Sequence, residues 1–451
     1  MTSVSRMQNS SLPTETISPL SPFETSIVKV MVVLFVVFSL LPYGISWDYT
    51  GTSALTMEGS LTTKLQWGSL FLVAGVILYR HLPVALADLR RINPFLALIL
   101  IWCVLSSIWS PLPGVTFKRA IQLYGIVMIG LSIQMADKPL HLLVNYLLYT
   151  LMCILGLSLF MSVAVPSVGI DYQLGGAWRG ALSQKNELGQ VAAMSVLLWQ
   201  VKAQIEKVNI KLLIFAMLFS FFMLVMSKSS TSMIITIFTS GTFHLLRKRR
   251  LNSDYSFTRV FLSLFCLILL ATYIFFIQES RFPTWSEISS PIAGIFGKGS
   301  DLTGRTDIWE LVILEIHKHL VFGLGYGAFW LGPDSLSQFV IDALNWVPLQ
   351  SHNGYLDILN EQGIIGLILC ILTLLTQARK LILLSHKDRP QAAFWTAMLL
   401  VVIVTNFTES SLFRGFGFQN VFFIFSLLAV TSASRRLNTP NNTPHNTPHV
   451  T

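Results

Sequence analysis

The sequence predicts an all-α integral membrane protein of about twelve spanning helices, with one large external loop that contains short helices. Three observations carry that prediction. Of the 451 residues, 53% are hydrophobic and only 12% are charged, about half the ~25% usual in soluble domains. Mean hydropathy is +0.63. Those values exclude an ordinary cytosolic enzyme and also a disordered chain, which needs low hydrophobicity and high charge.

The second observation is the recurrence of apolar runs near the ~20 residues that cross a bilayer. The first runs from Ile27 to Ser46 and is too long for a signal-peptide core, with no small-residue cleavage site after it. Others lie at 65–79, 94–109, 120–135, 140–165, 188–201, 211–226, 231–246, 259–278, 363–378, 391–407 and 418–434. The second and sixth of these twelve runs are short for a span.

Charge is the third. With the N-terminus inside, alternate segments place 20 of the 31 Lys and Arg inside and 11 outside. The dense clusters, such as Arg247, Lys248, Arg249 and Arg250, fall on the inside, as the positive-inside rule requires. Both termini are then cytoplasmic. The expected division is a flexible cytoplasmic N-terminus (1–26), helices one to nine (27–278), a large periplasmic loop (279–355), helices ten to twelve (356–436) and a disordered cytoplasmic tail (437–451) rich in Asn-Thr-Pro. Within the loop, Ile308, Leu311, Val312, Glu315 and Ile316 mark a helix face, with start signals at Thr303, Thr306 and Asp307.

The basic residues left outside are not needed for orientation, and four of their patches carry other polar groups. The first joins Trp178, Arg179, Lys185 and Asn186, and interfacial anchoring is the simpler account of it. In the second, Lys228 sits among Ser227, Ser229, Ser230, Thr231 and Ser232, a turn able to hold an anion or merely to cap a helix. The third places Arg305 at a helix start, four residues before Trp309, where a cation is unfavourable unless an anion joins it. A salt bridge to Asp301 or Asp307 is the structural alternative. The fourth is Ser351-His352-Asn353-Gly354, with Ser351 as a helix cap and His352 on the face of Leu356 and Leu359. There an imidazole can take a proton from a hydroxyl, or simply pack.

Cys103, Cys153, Cys266 and Cys370 all lie in apolar runs without a C-x-x-C pair and are expected to be buried apolar residues. His317 and His319, two apart, make a poor metal pair. No Walker A lysine, H-E-x-x-H or D-x-D occurs, so ATP hydrolysis, zinc proteolysis and magnesium-dependent sugar transfer lack their residues. No metal and no cofactor are expected. Taken together, Arg179, Lys185, Lys228 and Arg305 suit a lipid-linked phosphate at the outer leaflet, and His352 suits activation of an attacking hydroxyl.

From about Leu105 to Gly366 the chain resembles the O-antigen ligase and O-antigen or exopolysaccharide polymerase superfamily. The residues that carry the resemblance are Ser107-Ile108-Trp109-Ser110-Pro111 with Arg119, Trp178-Arg179-Gly180 with Lys185-Asn186, Gly304-Arg305-x-x-x-Trp309, Gly323-x-Gly325-x-Gly327, and His352-Asn353 with Gly363. The resemblance implies a GT-C-like helical glycosyltransferase in the bacterial inner membrane. It further implies inverting, metal-independent transfer at the periplasmic face from undecaprenyl pyrophosphate to a glycan acceptor.

Two family arginines engage the donor pyrophosphate and one histidine assists the acceptor; Arg305 and His352 match two of those positions. The second cation usually follows the Ser-x-Ser after helix seven. Here Ser230 follows Ser227-x-Ser229 and the charge lies earlier, on Lys228, so Lys228, or Arg179 with Lys185, stands as the second cation. Asn186, Asn353 and Trp309 are supporting residues.

The Trp-Arg-Gly and Lys-Asn pattern is closer to exopolysaccharide polymerases of the succinoglycan type than to lipid A-core ligases. The expectation is therefore a polysaccharide polymerase working beside a flippase and a chain-length regulator, with no nucleic acid as partner. A ligase acting on lipid A-core or protein is the alternative, and a bicarbonate-like transporter is the alternative of another class. A transporter would place ionisable residues at mid-membrane, and these spans are nearly free of them.

Overall fold

The computed structural model describes residues 20–41, 61–172, 174–247 and 305–436. The expected N-terminal arm (up to residue 19), the run at 259–278, Cys266, Asp301, Thr303 and the Asn-Thr-Pro tail lie outside the described residues. The described parts of the other eleven apolar runs fall on helices.

In chain order the helices begin with α1 (Pro22–Leu40), α2 (Leu61–Arg80), α3 (Leu82–Leu89) and α4 (Pro94–Leu105). They continue with α5 (Pro113–Gln134), α6 (Pro139–Ala164), α7 (Pro166–Gly169), α8 (Lys185–Ile205), α9 (Ile210–Met226) and α10 (Ser230–Arg247). After residue 304 come α11 (Arg305–Lys318), α12 (Gln338–Leu344), α13 (Gly354–Ser385), α14 (Arg389–Thr405) and α15 (Phe418–Arg436). A two-stranded antiparallel ribbon, β1 (Ile170–Asp171) with β2 (Ala177–Trp178), is the strand structure among the described residues.

Proline sets several helix starts. In α1, α4, α5 and α6 it opens the first turn, where its missing N–H costs nothing. The helix at 120–135 thus begins seven residues before its apolar run, at Pro113. The two runs that look short are complete helices, α2 of 20 residues and α8 of 21 residues, because charged residues in their end turns hide them from hydropathy.

Among the described residues, four helices are long and apolar enough to cross a membrane: α1, α2, α6 and α13. The pair α3 and α4, with its 3-10 extension to Ile108, is bent by 96° and passes the same test together. Helices α9 and α14 and the Phe418–Ala433 part of α15 are apolar but shorter.

Aromatic residues fill the centre of the bundle. Phe422, Phe423 and Phe425 of α15 and Phe394 and Trp395 of α14 are fully buried. Contacts at the helix ends fix the direction of the bundle. Asn186, Ser229, Glu409, Ser106, Tyr326 and Phe413 meet at one end. Arg389 with Leu246, and His141 with Glu206, meet at the other.

A second, small core caps the first of these ends. Ile308, Val312 and Ile316, a stripe at i, i+4, i+8 on α11, pack with Leu324, Phe329, Trp330 and Val340. Burying each of these large apolar side chains contributes roughly 1.5–3 kcal/mol, which holds α11 over the bundle.

The cap is tied to α13 through a break in that helix. Gly363 has φ 67°, ψ −171°, so the helix is interrupted there. The interruption frees carbonyls that must find donors elsewhere. Leu324 N donates to Asn360 O at 3.0 Å and Gly325 N to Glu361 O at 2.8 Å. Trp102 Nε1 donates to Gln362 O at 3.0 Å. Gly323 and Gly363 let the two backbones approach; a Cβ on either would meet backbone atoms of the other segment, all closer than real Cβ contacts allow.

Candidate functional site: a carboxylate between an arginine and a histidine

Glu409 lies in the connection between α14 and α15, is 7% exposed, and organises the capped end of the bundle. Its two oxygens face different partners. Oε1 accepts from Arg305 Nη2 at 3.2 Å and Asn186 Nδ2 at 3.0 Å. Oε2 accepts from Gln350 Nε2 at 3.0 Å and lies 3.1 Å from His352 Nδ1.

Elements distant in the chain supply these groups. Arg305 is the first residue of α11, and Asn186 sits in the first turn of α8. Asn186 is itself oriented by Ser229 Oγ, which donates to its Oδ1 at 3.1 Å. His352 precedes α13 and has φ 55°, an uncommon conformation for a side-chain-bearing residue. Two contacts hold it there: Trp309 Nε1 donates to Ser351 O at 2.7 Å, and Ser351 Oγ donates to Asn353 O at 2.8 Å. The cap of α13 is Asn353, whose Oδ1 accepts from Tyr355 N and Leu356 N, rather than the expected Ser351. His352 therefore stands outside the helix and does not share the face of Leu356 and Leu359.

Burial pushes the Glu409 carboxyl up, but the hydrogen bond and charge of His352, the charge of Arg305 and the hydrogen bond of Asn186 outweigh it and hold the group below the usual carboxylate range. An ionised carboxylate only accepts hydrogen bonds. Nδ1 of His352 then carries a proton, and when the ring is neutral Nε2 is the nitrogen that keeps its lone pair. Gln350 Nε2 lies 3.3 Å from the same ring nitrogen, and Glu409 serves as acceptor for both.

The other predicted cations are placed differently. Arg179 Nε donates to Val168 O at 2.7 Å, and Lys228 Nζ to Gly175 O at 2.7 Å; both brace the ribbon segment before α8. Lys228 has φ 50° and is exposed, next in sequence to the Ser229 that orients Asn186. Lys185 is half-buried in the first turn of α8 and makes no hydrogen bond or ion pair among the described residues. The structure thus brings Arg305, His352 and Asn186 to one carboxylate, with Trp309 and Asn353 shaping the histidine's loop. Arg179 and Lys228 touch backbone carbonyls instead of that centre.

Glu409 and Gln350 were not among the residues the sequence singled out. The available signal was an acid in an outer connection of a charge-poor chain, with no spacing to mark it.

Residues 215–371 match the family model described as O-antigen ligase. The matched segment, about a third of the chain, is similar to the O-antigen ligase family. The match contains Lys228, Arg305, Trp309, His352 and Asn353; Asn186 and Glu409 lie outside it. The chain is also 28% identical over 152 residues to the exopolysaccharide production protein ExoQ of Rhizobium meliloti (strain 1021). That alignment covers 32% of this chain and 34% of the relative, so it spans about a third of the relative's length. The family match and the apolar helices make this a multi-pass membrane protein.

Proposed function

We propose that the protein is an inner-membrane polysaccharide polymerase that joins undecaprenyl-pyrophosphate-linked repeat units at the periplasmic face, without a metal. The observation that carries this reading is the Glu409 carboxylate, shared by the Arg305 guanidinium and the His352 imidazole. It sets a diphosphate-binding group and a proton acceptor on either side of one anchor.

In the reaction, a sugar hydroxyl of one repeat unit attacks the anomeric carbon of another, on the face opposite the leaving group. The new C–O bond forms as the bond to the pyrophosphate breaks. The pyrophosphate departs with the bonding electron pair, as the polyprenyl pyrophosphate. The hydroxyl proton passes to His352 Nε2. Glu409 keeps the imidazole in the tautomer that accepts it and stabilises the imidazolium formed. Arg305 stabilises the charge gathering on the pyrophosphate. Lys185 and Lys228, next in sequence to Asn186 and Ser229, and Arg179 would add positive charge for the anionic headgroup.

A ligase that moves finished glycan to lipid A-core or protein uses the same chemistry with another acceptor. Deleting the gene separates the two. Accumulation of single repeat units on the lipid supports the polymerase, and accumulation of full-length lipid-linked chains contradicts it in favour of the ligase.

A further inference from the structure

Next to the Glu409 centre lies a cavity of about 370 Å³, within the range of roughly 300–1,000 Å³ typical of small-ligand sites. We propose that it is the acceptor subsite, which binds the terminal sugar ring of the glycan chain being extended; this rests on the transfer reaction above.

The polar wall is built from Arg119 and Gln122 of α5, Asp357 and Glu361 of α13, and Ser410 and Arg414 of the connection that carries Glu409. Two guanidinium groups and two carboxyl groups share this wall, with Arg414 paired to Asp357. A neutral ring whose every hydroxyl both donates and accepts wants alternating donors and acceptors, and these walls offer them.

The groups are also held in place. Asp357 accepts from Arg414 Nη1 at 3.2 Å and from Trp330 Nε1 at 2.8 Å. Glu361 Oε2 accepts from Gly327 N at 2.8 Å, and Arg119 Nη1 donates to Gly327 O. Phe416, half-buried and stacked on Trp67 at 4.0 Å between ring centroids, gives the cavity an apolar face for the C–H side of a pyranose. One group is unsatisfied: Ser410 Oγ is buried with no hydrogen-bond partner among the described residues. A buried hydroxyl without a partner is costly, and a ligand hydroxyl at this position would satisfy it.

Geometry assigns the cavity to the acceptor side. Gln350 joins it to the centre: its Nε2 donates to Glu409 Oε2 at 3.0 Å, and its Oε1 accepts from Ser410 N at 3.1 Å and Arg414 Nη1 at 3.3 Å. Oε2 is the oxygen that faces His352, while Arg305 holds Oε1. The cavity wall at Ser410 and Arg414 is therefore linked through Gln350 to Oε2, the oxygen of the carboxylate that Arg305 does not hold.

The test uses full-length protein in nanodiscs. The acceptor probe is the lipid-free oligosaccharide released by mild acid from the host's own lipid-linked repeat units. Binding is read by saturation-transfer NMR, and transfer by its acceptor and donor KM. Gln122→Ala and Ser410→Ala each weaken binding and raise the acceptor KM about tenfold, while the donor KM stays within about twofold. Ser410→Leu, which fills the cavity, removes binding while thermal melting shows a folded protein. Unchanged oligosaccharide binding in a folded Ser410→Leu variant overturns the assignment. So does inorganic pyrophosphate binding that is lost in these variants but kept in Arg305→Ala. The NMR arm needs no turnover, so oligosaccharide binding without any transfer upholds the subsite while the reaction itself fails.

Discussion

His352 and Glu409 meet at 3.1 Å across 57 positions of sequence, and that contact fixes which imidazole nitrogen is free to react. The carboxylate can only accept, so Nδ1 carries a proton and the neutral ring keeps its lone pair on Nε2. Replacing the histidine removes the proton acceptor but leaves the pyrophosphate cation. His352→Ala is expected to lower kcat by roughly 10²- to 10⁴-fold with little change in donor affinity, checked with purified protein and lipid-linked repeat units.

Glu409→Gln keeps the shape but admits the wrong tautomer of His352. We expect kcat to fall roughly tenfold to a hundredfold. Glu409→Ala also leaves Arg305 and His352 unpaired in a mostly buried setting, with a stability loss of about 3 kcal/mol. Comparing kcat with melting temperature for the two variants separates positioning from support.

Acid should weaken the same link. Glu409 titrates below its ordinary value of 4.5 in the folded protein. A depressed carboxylate contributes stability that is complete above the unfolded value and is lost as pH falls through the folded one. The melting-temperature gap between wild type and Glu409→Gln should therefore be constant down to about pH 5 and close below it. A gap that widens with acid contradicts the assignment.

The break at Gly363 makes a structural prediction. Its φ of 67° and the closeness of Val321 O leave no room for a side chain. Gly363→Ala should destabilise the cap by about 1–3 kcal/mol and loosen the Gly323–Gly327 loop. Gly68→Ala, in a helix interior with nothing near its Cβ position, should instead stabilise by roughly 0.5–1 kcal/mol. Thermal melting of both in detergent is the check.

Much of this fold is legible in hydropathy, because a spanning helix must hide its backbone and can only do so with a long apolar run. What hydropathy misses are the polar turns at helix ends. The run at 363–378 reveals only the apolar part of α13, whose first nine residues carry Asp357, Asn360, Glu361 and Gln362. Arg305 and His352 stand out as polar residues with motif neighbours. Glu409 does not: it is one acid in Thr408-Glu409-Ser410-Ser411, and its importance comes from three segments that converge on it only in the fold. Arg179 and Lys228 show the reverse limit. Both look like anion ligands in sequence, and folding spends a nitrogen of each on a nearby carbonyl.

Arg305 on one oxygen of Glu409 and His352 on the other form the centre of this account. The most direct test is in vitro transfer from purified lipid-linked repeat units by wild type and Arg305→Ala, with release of polyprenyl pyrophosphate and glycan length followed by mass spectrometry. The account predicts that wild type releases one polyprenyl pyrophosphate per added repeat unit, and that folded Arg305→Ala releases none. Long glycan made by Arg305→Ala at the wild-type rate would contradict it.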